Sequence, residues 1–210
     1  MKRQDIERDR RLEKGEDERI LAVIEGGVLA RKQRPLTLGY PEAHRVLFIL
    51  AVESAMRLSE MYTLYEDQID LPKRTVFLEK TKYGDKRQVP LSSVAAELLR
   101  KYLKEREIRE GHPQDLVFPW WNGDMSAKVR AKLSDYLSKR FIDIFELAEC
   151  PDLKFHDLRH EAVSRLFEKT SLSESQIMKI SGHKSHRMMM RYANLRGSDL
   201  AAALGDALTP

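Results

Sequence analysis

Six side chains able to hold a phosphate or move a proton stand out along the chain: Arg57, Lys82, His156, Arg159, His183 and Tyr192. Arg57 follows an apolar run, in Ala55-Met56-Arg57-Leu58-Ser59-Glu60. A guanidinium held there can clamp an oxyanion with its fork of N–H donors. It can equally form a structural ion pair with Glu60. In His156-Asp157-Leu158-Arg159-His160, His156 and Arg159 are spaced i, i+3. On a helix they share one face and look outward while Leu158 turns to the core. His156 and His160 also have the i, i+4 spacing of metal ligands, with His183 or His186 as a third. The neighbouring Arg159 disfavours a cation there. Lys82 precedes the polar turn Tyr83-Gly84-Asp85-Lys86, where it is either a proton donor carried by a hairpin or one surface lysine among many. Tyr192 trails His183 by nine residues. Unbroken helix would set the two about 180° apart. They converge only across a break, which Gly182 and Lys184-Ser185-His186 supply.

The elements that must position these groups are mostly helical. A helix starts at Glu16 and stops at Gly26-Gly27, after a charged stretch with almost no apolar content. Pro35 to Pro41 reads as a loop, and Glu42 to Met56 as a helix whose centre is apolar all round, as a buried helix is. A short helix over Arg57 to Leu64 follows. The period then changes. Thr75–Leu78 and Gln88–Leu91 read as a β-hairpin, with an added strand at Ile69–Leu71 and Pro90 at an edge or strand end. Ser92 caps a helix with Val94, Leu98, Leu99, Tyr102 and Leu103 at helical spacing. Ser126 opens the longest helix, and Pro151 follows it. Shorter helices are predicted over His156–Glu168, from Ser173 to Gly182, over Met188–Tyr192 and over Ser198–Leu208.

Composition narrows the partners. The 210 residues are 42% hydrophobic and 33% charged, enough to bury a core and too apolar for a disordered chain. A net charge of +4 permits a polyanion partner without requiring one. The longest apolar run, Val46 to Val52, is far short of the roughly 20 residues of a membrane span, so no membrane partner is expected. Met1 to Arg11 is too charged for a signal peptide. Cys150 is the only cysteine, which excludes an intramolecular disulfide and a multi-cysteine zinc site; it reads as a partly buried small residue in a reducing cytoplasm.

Taken in order, MRLSE at 56–60, TKYGDKRQVPLS at 81–92, HDLRH at 156–160 and GHKSHRMMMRY at 182–192 resemble the catalytic domain of the tyrosine recombinases, the phage-integrase family. The H-x-L-R-H box and the Gly-His with its tyrosine nine residues on are the specific parts. The resemblance runs from about Arg11 to Leu204. Three positions depart from the pattern: Ala55 stands where the family often has Gly, Tyr65 where it often has Trp, and Ser181 where it often has Leu. The first departure puts the shape of the turn before Arg57 in question.

The resemblance implies a mainly α fold with a small antiparallel sheet. Residues 1–15 would be a charged linker or arm, and 16–210 the catalytic domain with its tail at 193–210. No N-terminal core-binding domain is recognisable, so the chain is expected to be an excised domain or a minimal recombinase. Tyr192 would attack a phosphodiester of double-stranded DNA, giving a 3′-phosphotyrosyl link and a free 5′-hydroxyl. Arg57 and Arg159 would clamp the phosphate, with a hydrogen bond from His183. His156 would be the general base, and Lys82 would protonate the leaving oxygen. Glu60 would orient Arg57, and His160 would support the box. No metal, cofactor or ATP is implied, because one phosphate ester replaces another. Lys73, Arg74, Lys80, Lys86 and Arg87 around the hairpin, and Lys179, Lys184, Arg187 and Arg191 near the tyrosine, are candidate DNA-backbone contacts or plain surface charges. A homotetramer on DNA, with the tail docked in trans, is the implied assembly, and DNA association in the cytoplasm the implied location. The rival readings are a type IB topoisomerase, a non-catalytic DNA-binding module and a metal-dependent hydrolase.

Overall fold

The apolar run Val46–Val52 is the axis around which the other elements pack. It lies in α2 (Pro41–Ser54), where Val46, Leu47, Phe48, Leu50 and Ala51 are all at most 1% exposed. Burial of this kind is worth about 1.5–3 kcal/mol per large side chain, which is why so apolar a helix centre is stable here. Pro41 occupies the first helical position, where its missing N–H is no loss. In the computed structural model, residues 10–27, 36–79, 86–106, 115–190 and Tyr192 are described. Lys80, Lys82, Arg191, the turn at 83–85 and the tail at 193–210 lie outside them.

Around α2 pack α1 (Glu16–Ile24), α3 (Leu58–Tyr62), α4 (Ser93–Glu105) and α6 (Phe155–Lys169). The 21-residue α5 (Ala127–Leu147) lies against α1, α3 and α6, burying Leu137, Phe141, Ile144 and Phe145. The serine caps form as the sequence predicts. Ser92 Oγ accepts from Ala95 N, and Ser126 Oγ from Val129 N. Val94 departs from its expected place on the apolar face of α4: it lies in the first turn, 61% exposed. The segment Leu116–Trp121 fills the core beside α4, with Phe118 stacked between Tyr102 and Trp120. Tyr65, standing where the resembled family often has tryptophan, sets its ring edge-on to Trp121.

β1 (Ile69–Asp70), β2 (Thr75–Leu78) and β3 (Arg87–Pro90) form one antiparallel sheet in that order. Val76 pairs with Val89, both fully buried, and Leu78 pairs with Arg87. Pro90 sits at the end of the edge strand β3, where a missing N–H breaks no ladder. α7 (Glu174–Ser181) packs on β3, and α8 (His186–Met190) follows it. Cys150 is fully buried, and burial pushes its thiol up to about 11, helped by the nearby Glu16 carboxylate.

The charged arm expected over residues 1–15 is described from Arg10 onward, and there it is packed onto the body. Leu12 is buried in the core, and its N–H donates to Glu161 of α6. Arg11 pairs with Glu161 at 3.0 Å and with Glu168. Arg165 donates to the other oxygen of Glu161 at 2.6 Å. Burial pulls the Glu161 carboxyl upward, but hydrogen bonds from Arg11 and then Arg165 outweigh it and hold it below its ordinary 4.5. Arg11→Ala should therefore lower stability by about 1.5–3 kcal/mol at neutral pH, the range for a hydrogen bond to a charged group. A lowered carboxylate stabilises the fold above its unfolded value and ceases to do so as pH falls through the folded one. The gap between Arg11→Ala and the parent, read by urea unfolding, should be full above pH 5 and shrink below about 4.

Candidate active site

The site is built on the C-terminus of α7. The last carbonyls of a helix have no partner within it. Here three consecutive ones each meet a different arginine. Ile180 O accepts from Arg87 Nε at 3.0 Å, Ser181 O from Arg159 Nη2 at 2.6 Å, and Gly182 O from Arg57 Nη2 at 3.4 Å. These arginines come from β3, α6 and the residue before α3. A cation at this end of a helix is also favoured by the peptide dipoles.

Glu60 ties two of the three together. Its carboxylate accepts from Arg57 Nη1 at 2.7 Å and from Arg57 N at 2.8 Å, which caps α3. It also takes a two-pronged pair from Arg87, at 2.9 and 2.8 Å. Burial pushes the Glu60 carboxyl up; the hydrogen bonds and charge of Arg87, then those of Arg57, hold it below the ordinary range. Arg87 is thus turned inward, its side chain 8% exposed. The sequence reading put it on the surface as a DNA-backbone contact; in the structure it braces the site.

Arg159 also differs from expectation. Its partner on the helix face, His156, is exposed, but Arg159 itself is 4% exposed. Besides Ser181 O it donates to Ala55 O. Burial, and next the charge of Arg57, push its guanidinium down to about 10, so it stays protonated at neutral pH. A cleft of about 250 Å³ opens over this group, lined by Arg57, Ser59, His156 and Arg159. Asp157 accepts from Lys154 N at 2.8 Å and so caps the helix that carries the box. Leu158 is in the core as expected.

His183 and Tyr192 do converge. Gly182 ends α7 in the left-handed conformation at φ 71°, and three non-helical residues separate it from α8. The Tyr192 hydroxyl lies 3.4 Å from His183 Nε2. The Tyr192 ring is 6% exposed and packs with Ala55, Ala162, Val163, Ile177 and Met189 in a small cluster separate from the main core. The His160 ring stacks on it at 5.3 Å, and His156 meets His160 edge-on at 5.0 Å. His186, the other metal-ligand alternate, is turned to Glu174 at 2.6 Å. Among the described residues no three metal-ligating side chains gather.

Of the remaining candidates, Lys86, Lys179 and Lys184 line a groove beside His183 together with Arg87, a space of about 640 Å³. Lys73 and Arg74 are exposed at the turn between β1 and β2, with Lys73 paired to Asp70 at 2.9 Å. Arg187 is exposed on α8. Ser181 was not singled out by sequence beyond the absence of leucine, yet its hydroxyl lies 2.7 Å from His183 Nδ1.

Two left-handed residues shape the site, and their substitutions should diverge. Ala55 turns the chain after α2 at φ 54°, keeping in alanine a conformation that glycine adopts freely. Ala55→Gly relieves about 1–2 kcal/mol of strain. It loses about 0.8 for a buried methyl and about 0.4–1 in unfolded-chain entropy. Its unfolding midpoint should stay within a few degrees of the parent. A Cβ on Gly182 would stand 2.8 Å from Arg87 Nη1, which Glu60 holds in place. Gly182→Ala should lower the midpoint by about 2–6 °C in a thermal melt.

Comparison with known proteins places this arrangement. Residues 11–198 match the model of the phage integrase family. A shufflon-specific DNA recombinase of Escherichia coli is 33% identical over 201 residues, 94% of this chain and 43% of that protein. A putative integrase/recombinase of Haemophilus influenzae is 32% identical over 205 residues, 97% of this chain and 50% of that protein. The chain thus spans about half the length of these curated relatives. Among solved structures, XerA recombinase superposes with a TM-score of 0.67 at 15% identity, over 97% of this chain and 67% of that one. XerH recombinase, in a post-cleavage complex with its palindromic difH substrate, superposes with a TM-score of 0.66 at 24% identity, over 92% of this chain and 52% of that one. The fold is therefore that of a tyrosine recombinase catalytic domain, and the chain belongs to the phage integrase family of tyrosine site-specific recombinases.

Proposed function

We propose that this chain cleaves and rejoins DNA strands through a phosphodiester link between Tyr192 and a 3′-phosphate, without metal or ATP. The observation that carries the reading is the convergence of a shielded tyrosine hydroxyl with His183 and with two arginines, Arg57 and Arg159, held on one helix end. Among the described residues three guanidiniums gather near one carboxylate, a cationic setting that favours added negative charge. A scissile phosphate supplies it. In the transition state its non-bridging oxygens gain charge, and fixed donors that need not reorganise stabilise that charge most.

A tyrosine with its usual pKa of about 10 is nearly all phenol at neutral pH. Its proton must pass to a base as the oxygen attacks. Two histidines are candidates: His156, nominated by resemblance and placed at the rim of the cleft, and His183, within 3.4 Å of the hydroxyl. Lys82 is proposed to protonate the leaving 5′-oxygen. Swapping one phosphate ester for another conserves bond energy, so the covalent intermediate is reversible without an external energy source. The groove lined by Lys86, Lys179 and Lys184 fits the DNA backbone beside the site. A tetramer with tails exchanged between subunits would couple four such sites.

The test uses the full 210-residue chain and a pool of nicked duplexes with randomised sequence flanking the nick. A short fragment diffuses away after cleavage and traps the adduct. The parent should form an SDS-stable protein–DNA adduct that EDTA leaves undiminished. Tyr192→Phe should form none while retaining DNA affinity by fluorescence anisotropy. An adduct persisting in Tyr192→Phe would place the nucleophile elsewhere.

A further inference from the structure

We propose that Ser181 is a positioning residue that fixes the tautomer of His183, so that His183 Nε2 takes the proton of Tyr192 as the phenol attacks. This rests on the phosphotyrosyl chemistry above. Ser181 is fully buried at the end of α7. Its Oγ lies 2.7 Å from Ile177 O and 2.7 Å from His183 Nδ1. Two oxygens that close must share a hydrogen, and only the serine has one to give to a carbonyl. A hydroxyl carries a single hydrogen, so the contact with Nδ1 must use the imidazole's own. Nδ1–H therefore donates to Ser181 Oγ. In a neutral ring that leaves Nε2 as a bare acceptor, and Nε2 is the atom that faces the Tyr192 hydroxyl.

The surroundings favour the neutral ring. Lys86, Arg87, Lys179 and Lys184 line the groove with His183, and Arg57 reaches the carbonyl of Gly182. On the other side stands Tyr192, with His160 stacked behind it. Nearby cations disfavour a second proton on imidazole. As the step proceeds, the phenol proton moves to Nε2 and the phenolate oxygen forms the bond to phosphorus. The bond from phosphorus to the 5′-oxygen breaks, and that oxygen takes its electron pair and a proton from Lys82. His183 is then an imidazolium whose Nε2–H donates to the new ester, so acceptance and donation follow each other on one atom. Leucine, frequent at position 181 in the family, has no atom to hold Nδ1; this coupling belongs to the serine.

The first measurement needs no DNA. Nitrogen-15 shifts of the histidine-labelled 210-residue chain report the tautomer, with His183 assigned by its absence in His183→Gln. The parent should show His183 protonated at Nδ1, and Ser181→Ala should move it toward Nε2–H or a mixture. An Nε2–H ring in the parent, or no change in Ser181→Ala, overturns the proposal. The second measurement follows single-turnover adduct formation on the nicked-duplex pool against pH. The rate should rise as pH climbs from acid to neutral and the ring gives up its second proton. Ser181→Ala should be slower by about tenfold to a hundredfold at pH 7, with DNA affinity and folded fraction unchanged. A rate that falls as the imidazolium is lost, or equal rates for the two proteins, sinks the assignment. A parent chain that forms no adduct at all would instead remove the phosphotyrosyl reading, whatever the tautomer.

Discussion

Three guanidiniums meeting the last carbonyls of α7 are the contact on which the rest of the site depends. A helix end buried without partners for Ile180, Ser181 and Gly182 would be costly. Arg87, Arg159 and Arg57 remove that cost, and in doing so bring β3, α6 and the start of α3 to one point. The price is repulsion among like charges. Glu60 offsets part of it by taking two of the three arginines. Arg159 has no carboxylate of its own among the contacts described, and its guanidinium is pushed down by burial and by Arg57. An enzyme that must grip an oxyanion gains from such a shortage. The cations are held by the fold rather than by a ligand, so little reorganisation would remain if a phosphate bound there as proposed.

How much of this could be read from the sequence depended on whether a residue's role follows from its own neighbours. The all-apolar centre of α2, the serine caps and the break at Gly182 are local patterns, and they formed as expected. The H-x-L-R-H spacing put His156 and Arg159 on related positions of a helix, but depth is not local. Arg159 went inward because two carbonyls from distant segments, Ala55 and Ser181, were there to receive it. Arg87 illustrates a signal that was present and missed. It is two residues from Val89, and alternate residues of a strand share a face. Val89 is core, so Arg87 had to lie on the inner side of β3, where a charge needs a partner. Nothing in the sequence named Glu60 as that partner, because the two are joined only by the way the sheet packs on α3 and α7.

Ala55 and Ser181 are opposite lessons in departure from a family pattern. At Ala55 the backbone conformation is what the site needs, since its carbonyl must face Arg159. The alanine adopts the left-handed turn at a local energetic cost and the geometry survives. At Ser181 the side chain adds a hydrogen-bonding atom beside the imidazole. A residue that differs in one hydrogen-bonding side-chain atom would, by the proposed coupling, change which nitrogen holds a proton.

The seating of Tyr192 follows from the size of its cluster. Ala55, Ala162, Val163, Ile177 and Met189, with the partly buried Leu166, Phe167, Leu172 and Met178 against them, form a group apart from the main core. Fully burying one large apolar side chain is worth only about 1.5–3 kcal/mol, well below the stability of a typical domain. Tyr192, the proposed nucleophile, would then leave its seat without the fold opening, while the arginines, held on the end of α7, stay where they are. Local equilibria of this kind sit at the low end of a protein's stability range. The division would suit the proposed strand exchange: a phosphate clamp would have to be rigid to stabilise charge, whereas the tyrosine would travel toward phosphorus and, after the second transfer, come back.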